Sequence, residues 1–391
     1  MEEQDYIVFE VRSTGPGEDE FSFGPSEEAV EQPSTVLDIH SMTPPEAADA
    51  KRAPNVVVAE PLPTRLIEPV SESDVSGPLA AGATWGVEAV GATASPFTGN
   101  GVKVAVLDTG IDANHPAFAG LTVTEKDFTG EGNGDTNGHG THCAGTIAGQ
   151  DVNGTRFGVA RGLDELLVGK VLGKRGGSTA TIASAMVWAL DNGANVLSMS
   201  LGIDFPGLVD RLTASGMNVQ PATSRALEAY RDNLKLFGAV AEMIAVSGRF
   251  GRPAVVVAAT GNESERDAAQ PYTIGVSPPA ASDGFIRVAA LRQNGTGELA
   301  VAGFSNTGAT LAAPGVDVVS AKPGGGLTSK SGTSMATPHV AGVAALWAEK
   351  LAADDRFDPE LLLGELRGKS RELASLAAVD GGSGLVQAPT G

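Results

Sequence analysis

The sequence predicts an α/β fold with a mainly parallel central sheet, preceded by a small segment of different character. Three observations predict it. From Gly101 onward, nearly continuous apolar runs (GVKVAVLD, LLVGKVL, NVLSMSLG, AVVVAATGN and IRVAAL) alternate with segments of helix length, the pattern of strands covered on both faces. The first 80 residues hold 10 of the 23 prolines but only 4 of the 51 glycines. The same 80 residues carry 17 of the 47 acidic and 4 of the 27 basic side chains, a net charge of −13, which leaves −7 for the other 311. A boundary therefore falls near Pro78, dividing an acidic, Pro-rich segment (1–80) from the larger domain (81–391).

Within the acidic segment, Asp5 to Arg12 (DYIVFEVR) and Asn55 to Ala59 (NVVVA) have the β-branched and aromatic content of strands. Gly15 to Pro54 between them is rich in Pro, Glu, Ser and Thr and is expected to be largely loop. The expected segment is small and either α+β or partly disordered. In the larger domain, Asn137 to Ala148, Thr179 to Leu190 and Thr333 to Leu351 read as helices. Leu227, Tyr230, Leu234, Phe237, Val240 and Ile244 recur every three or four residues, which predicts an amphipathic helix from Thr223 or Ser224.

With 42% apolar residues the chain can bury a sizeable core, and one cysteine excludes an intramolecular disulfide and a multi-thiolate metal centre. Its acidity excludes general nucleic-acid binding, which needs clustered Lys and Arg against phosphates. No run approaches the length of a membrane span. The start, MEEQDYIVFEVR, lacks the basic flank and apolar core of a signal peptide, so a cytoplasmic protein is expected, with export by another route left open.

Three stretches carry chemistry. Asp108 ends an apolar strand in VAVLDTG, where open α/β sheets place their sites; alone it reads equally as a turn cap, or as the Asp-Thr-Gly of an aspartic protease. NGHGTHCAGTIAG places His139 and His142 three apart, without the acidic residue a metalloprotease helix needs. SKSGTSMATPHVAG puts Ser334 at a turn before an Ala-rich helix, as an N-cap or as a nucleophile whose own N–H steadies an oxyanion. Together they are more informative than apart. A serine hydroxyl needs an imidazole to take its proton and a carboxylate to orient that imidazole, and Asp, His and Ser occur here in that chain order. The α/β-hydrolase order is different, and GTSMA lacks that fold's second glycine.

DTGID, HGTHCAG and GTSMATPHVAG jointly resemble the three signature stretches of the subtilisin-like serine proteases, over Trp85 to Ala388. The resemblance implies a three-layer domain and a serine endopeptidase acting through an acyl-enzyme on Ser334, with Asp108 orienting His139 and His139 as general base, then acid. It also implies Asn262, in AVVVAATGNE, as side-chain oxyanion donor beside the Ser334 N–H. It further implies that extended polypeptide substrates lie between Gly176, Gly177, Ser178 on one side and Ser200, Leu201, Gly202 on the other. Thr260 and Gly261 would border the pocket, Thr260 standing where the family usually has alanine. Cys143, four residues after His139, reads as a buried apolar neighbour of the site rather than a nucleophile.

The resemblance makes residues 1–80 a pro-region, a partner to the protease domain that is removed by cleavage between about Val75 and Gly82. Two net-negative parts repel, so its docking is expected to rest on apolar and backbone contacts. The chemistry requires no cofactor. A family calcium site that uses an acidic residue after His-Pro is doubtful, since His115-Pro116 is followed by Ala117; the oxygens of Asp127 to Asn137 leave calcium open there. Residues 203–253 form an insertion relative to compact relatives, read as packing or as a lid or exosite beside the cleft. Two rivals stand: an aspartic protease built on Asp108, and a non-catalytic scaffold that has kept the fold.

Overall fold

Alternation along each apolar run sorts its side chains onto two faces, and that sorting builds the molecule. The computed structural model describes residues 3–12, 34–75 and 81–391. Its main sheet has eight strands. Their order is Leu299–Val301, Phe285–Gln293, Val255–Ala259, Val196–Met199, Lys103–Asp108, Glu165–Lys170, Thr122–Asp127, with Leu311–Pro314 also paired to Phe285–Gln293. All pairings are parallel except Leu299–Val301 against Phe285–Gln293. Val104, Val106, Val255 and Val257 point to one face, where the helices His139–Ala148 and Thr333–Ala353 bury Ala144, Ile147, Val340 and Ala344. Ala105, Leu107, Val256 and Ala258 point to the other, covered by Thr179–Asp191 and Val219–Ser247 through Ile182, Met186, Phe237 and Val240. The result is three layers with the sheet in the middle. No helix among the described residues is long and apolar enough to cross a membrane.

The N-terminal part is a small α+β unit. Gln4–Arg12 lies antiparallel between Ser34–Met42 and Val56–Ala59, and the helix Pro44–Ala50 packs on its outer face, where Tyr6, Ala47 and Val58 are buried. A capping box starts that helix: Glu46 accepts from the Thr43 N–H at 2.8 Å. The loop expected over Gly15 to Pro54 is thus corrected in part, since it contains a strand and a helix; residues 15–33 lie outside the described residues. The inner face of this sheet, Ile7, Phe9 and Ala59, joins the core of the peptidase layer.

The insertion forms two helices, Phe205–Ala214 and Val219–Ser247. The second starts earlier than its apolar stripe suggests, and the stripe itself shifts. Ala222, Ala226, Ala229 and Asn233 face inward, whereas Leu227 is exposed. Small residues let this helix approach the N-terminal sheet closely, and Asn233 Nδ2 donates to the Glu60 carbonyl at 2.8 Å.

Candidate active site

The site gathers at the C-terminal ends of the parallel strands, where chain polarity leaves loops free. Asp108 is the last residue of its strand and is 1% exposed. Its Oδ1 accepts from the Thr109 N–H at 2.8 Å and lies 2.8 Å from His139 Nδ1. His139 opens its helix directly after Gly138, whose φ of 93° is left-handed. The next residue must also be glycine, because a Cβ on Gly140 would overlap the Gly110 backbone. That close approach brings the helix start against the strand end.

Asp135, which motif reasoning did not single out, ties the two together. Its Oδ1 accepts from Thr109 Oγ1 at 3.0 Å and the Gly138 N–H at 2.8 Å, while Oδ2 accepts from the Thr141 N–H at 2.9 Å and Thr141 Oγ1 at 2.7 Å. Thr109 Oγ1 in turn accepts from the Gly140 N–H at 2.9 Å. The available signal was its place four residues before His139, among glycines that cannot supply side-chain acceptors.

Burial by itself would push the His139 pKa down, but the Asp108 carboxylate and Cys143 hold it well above the usual 6.5. Cys143 sits one turn on, buried, its Sγ 3.8 Å from His139 Nδ1, and burial pushes its thiol pKa up. His142 turns away from the site: its Nε2 donates to the Val318 carbonyl at 3.0 Å, and burial with nearby Lys330 lowers its pKa to about 3.

Ser334 is the second residue of its helix. Pro338 lacks the N–H that would bond the Ser334 carbonyl inside the helix. That carbonyl accepts instead from Ser200 Oγ at 3.3 Å and Cys143 Sγ at 3.5 Å, which fixes the serine turn against the His139 helix. Asn262 follows the strand Val255–Ala259 by three residues. Its Oδ1 accepts from the Thr333 N–H at 2.8 Å and Thr333 Oγ1 at 2.9 Å, so the amide N–H₂ is turned into the cleft. Thr333 is the second residue that sequence reasoning passed over, although it adjoins Ser334.

The cleft is filled by the chain itself. Pro63–Leu66 runs as an extended strand between Gly177–Ser178 and Leu201–Ile203, antiparallel to both. Thr64 pairs with Gly177, and Leu66 and Arg65 pair with Leu201 and Gly202. A Cβ on Gly176 would strike the Thr64 carbonyl, so this edge needs glycine to admit a strand. Beyond the ladder, Ser334 Oγ donates to the Ile67 carbonyl at 3.0 Å, and Asn262 Nδ2 donates to the Glu68 carbonyl at 2.9 Å. The serine hydroxyl and the Asn262 amide thus hold two successive carbonyls rather than meeting at one. His139 Nε2 has no hydrogen-bond partner among the described residues, since the Ser334 hydroxyl is given elsewhere. Ser71–Asp74 then pairs with Leu327–Ser331 on the far side.

Five of the expected cleft residues, Gly176, Gly177, Ser178, Leu201 and Gly202, line this strand, and Ser200, Thr260 and Gly261 do not. Ser200 is outside the ladder, its hydroxyl on the Ser334 carbonyl. Thr260 is fully buried, with Oγ1 donating to the Val288 carbonyl at 3.1 Å, so its hydroxyl faces the neighbouring strand rather than the pocket. Gly261, with φ 111°, leaves room for Asn306 and Glu263, which a Cβ would displace.

Asp108, His139 and Cys143 bring one ligand atom each within 4.8 Å, but two of these atoms are already hydrogen-bonded to one another. In the Asp127 to Asn137 loop, Asp127 accepts from the Thr129 and Gly132 N–H groups and Glu125 from Gly134. These carboxylates, Glu125 from the strand before the loop, thus accept from the loop's own backbone. His115 binds the Ala117 N–H and the Gly326 carbonyl.

Fold and site together define a serine peptidase with subtilisin-like architecture. Residues 99–362 match the subtilase family, and the chain belongs to that family of serine endopeptidases. It is similar to subtilisin Savinase of Lederbergia lenta, 37% identical over 313 residues, 78% of this chain and 96% of that protein. M-protease of Shouchella clausii is 38% identical over 281 residues, 70% of this chain but 61% of that longer protein. The intracellular serine protease of Paenibacillus polymyxa is 36% identical over 288 residues, 71% and 77% respectively.

Proposed function

We propose that Asp108, His139 and Ser334 hydrolyse peptide bonds of extended polypeptides through an acyl-enzyme, and that residues 1–80 hold the enzyme latent until they are cut away. His139 Nε2 takes the Ser334 proton as Oγ attacks the carbonyl carbon, and Asp108 on Nδ1 stabilises the imidazolium. Asn262 Nδ2 and the Ser334 N–H carry the oxyanion. The imidazolium then protonates the departing amine, and water attacks the ester by the same relay. No metal or cofactor enters these steps.

One observation carries the latent state: a strand of this chain occupies the backbone ladder of the cleft while the nucleophile and the Asn262 amide hold different carbonyls. Ladder contacts ignore side-chain identity, so the same edges accept a substrate once the strand leaves. Processing between Val75 and Gly82 is then a bimolecular event, because Ser334 of the same chain is held on Ile67 and Asn262 on Glu68; residues 76–80 lie outside the described residues.

The test uses Ser334→Ala, read by mass spectrometry and by hydrolysis of unfolded casein. The variant should stay intact and lose activity by about six orders of magnitude, a size drawn from measured serine-protease triads. A trace of wild-type enzyme should cut it between Val75 and Gly82. Equal casein hydrolysis by the variant overturns the catalytic assignment, and an intact variant after wild-type treatment overturns the processing. A cytoplasmic site of action is part of the proposal, suggested by the name of the P. polymyxa relative and checked by fractionating the native cells.

A further inference from the structure

Successive residues of the strand in the cleft face opposite ways. Thr64 and Leu66 are buried against the peptidase domain, and Arg65 between them points outward with 53% of its side chain exposed. Its guanidinium lies near two carboxylates, with Nη1 at 3.4 Å from Asp204 Oδ1 and Nη2 at 3.9 Å from Glu263 Oε1. Each carboxylate has a partner of its own. Asp204 caps the insertion helix Phe205–Ala214, with Oδ1 accepting from the Gly207 N–H at 3.2 Å, and Arg211 lies 3.8 Å from Oδ2. Glu263 Oε2 accepts from Asn306 Nδ2 at 2.6 Å. Both acids are therefore positioned by the peptidase domain rather than by Arg65, and they remain when the strand departs.

Backbone pairing fixes where a substrate side chain falls, since Arg65 sits opposite Gly202 and Ile67 presents its carbonyl to Ser334. We propose that Asp204 and Glu263 form a specificity subsite for an arginine or lysine at the third residue before the cleaved bond, with the insertion supplying one wall. This rests on the endopeptidase reading above, with Arg65 standing in for the substrate side chain. Two solvent-screened pairs favour a basic residue over glutamine by about three- to tenfold in kcat/KM at low salt, less at high salt, and they reject glutamate.

Two measurements decide it, peptide cleavage by the full chain after a trace of active enzyme has cut away its N-terminal segment, and hydrogen exchange in the intact full chain carrying Ser334→Ala. Internally quenched peptides carrying Arg, Gln or Glu at that position should be cleaved in that order, and the double variant Asp204→Asn, Glu263→Gln should bring the Arg to Gln ratio close to one. A wild-type ratio of one, or a ratio untouched by the double variant, overturns the subsite. Hydrogen exchange at Thr64 and Leu66 gives a readout that needs no catalysis. The double variant and Arg65→Gln should each speed it several-fold, and the triple variant no further; unchanged exchange in all three also overturns the subsite. A processed chain that cleaves none of the peptides overturns the endopeptidase reading instead, while exchange still judges the carboxylate pair.

Discussion

The peptidase part and the N-terminal part bury their apolar residues in different ways. The peptidase sheet is covered on both faces by its own helices, so Val104 and Val106 on one side and Ala105 and Leu107 on the other are enclosed by residues of the same domain. Among the described residues, the N-terminal sheet encloses only Tyr6, Ala47 and Val58 by itself; Ile7, Phe9 and Ala59 are buried against a surface that includes Met186, Leu236 and Phe237. One part owns its core and the other borrows half of it. The contrast extends to charge. Both parts are net negative, yet Lys51 pairs with Asp232, Glu60 with Arg225, Asp74 with Lys322 and Glu72 with Lys330, the last a lysine only 3% exposed. Docking thus uses local ion pairs as well as the apolar and backbone contacts that the net charges led us to expect.

The contrast can be broken most sharply at the site. Asp108→Asn should leave both parts folded and lower kcat by about four orders of magnitude, a figure taken from measured serine-protease triads. An unfolded variant by circular dichroism would mean that the peptidase core depends on its catalytic carboxylate. Next in size, Phe9→Ala should cost about 3 to 5 kcal/mol. The cost should fall on docking, with the N-terminal part melting first in urea and casein hydrolysis rising. A single transition with no gain in activity would show that the two parts fold as one.

Acid should act on the self-sufficient part. His142 and His339 are fully buried, and burial lowers their pKa values to about 3 and about 4. Between those values and about 6.5, the unfolded chain binds protons that the folded one refuses. Their contribution to stability is therefore complete above pH 6.5 and is lost as pH falls, by about 1.4 kcal/mol per pH unit for each histidine. Urea midpoints at pH 7 and pH 5 should show that loss, offset in part by His139, whose raised pKa acts in the opposite sense, and His339→Leu should reduce the net loss by more than half; midpoints that do not move would break the argument. The smallest effect is expected from Lys51→Met, whose partly exposed ion pair contributes at most about 1 kcal/mol to docking. A loss as large as that from Phe9→Ala would make charge, not the shared core, the main bond between the parts.

Legibility in the sequence follows the same division. The central strands were readable because burial on both faces leaves unbroken apolar runs, and the site because close backbone approaches force glycines beside Asp108 and His139. Ser34–Met42 was not readable, since an edge strand whose Ile39 is 56% exposed has little apolar pattern to show. Ser71–Asp74 (SESD) is exposed throughout and is a strand only because Leu327–Ser331 offers it a backbone ladder. Pro63–Leu66 is invisible for the same reason, as its structure resides in the cleft edges. Asp135 and Thr333 act on other side chains rather than on a substrate, so no reactive pattern marks them.

The strand in the cleft is joined by the chain to the domain that it blocks. Its local concentration is then a property of the tether and does not fall when the protein is diluted. The proposed cut between Val75 and Gly82 would leave the contacts of Pro63–Leu66 with the cleft edges in place, yet it would turn an intramolecular equilibrium into a dissociation constant. Before that cut, the latency we propose would be indifferent to how much protein a cell holds. After it, the same contacts hold only while the released segment stays concentrated enough to return.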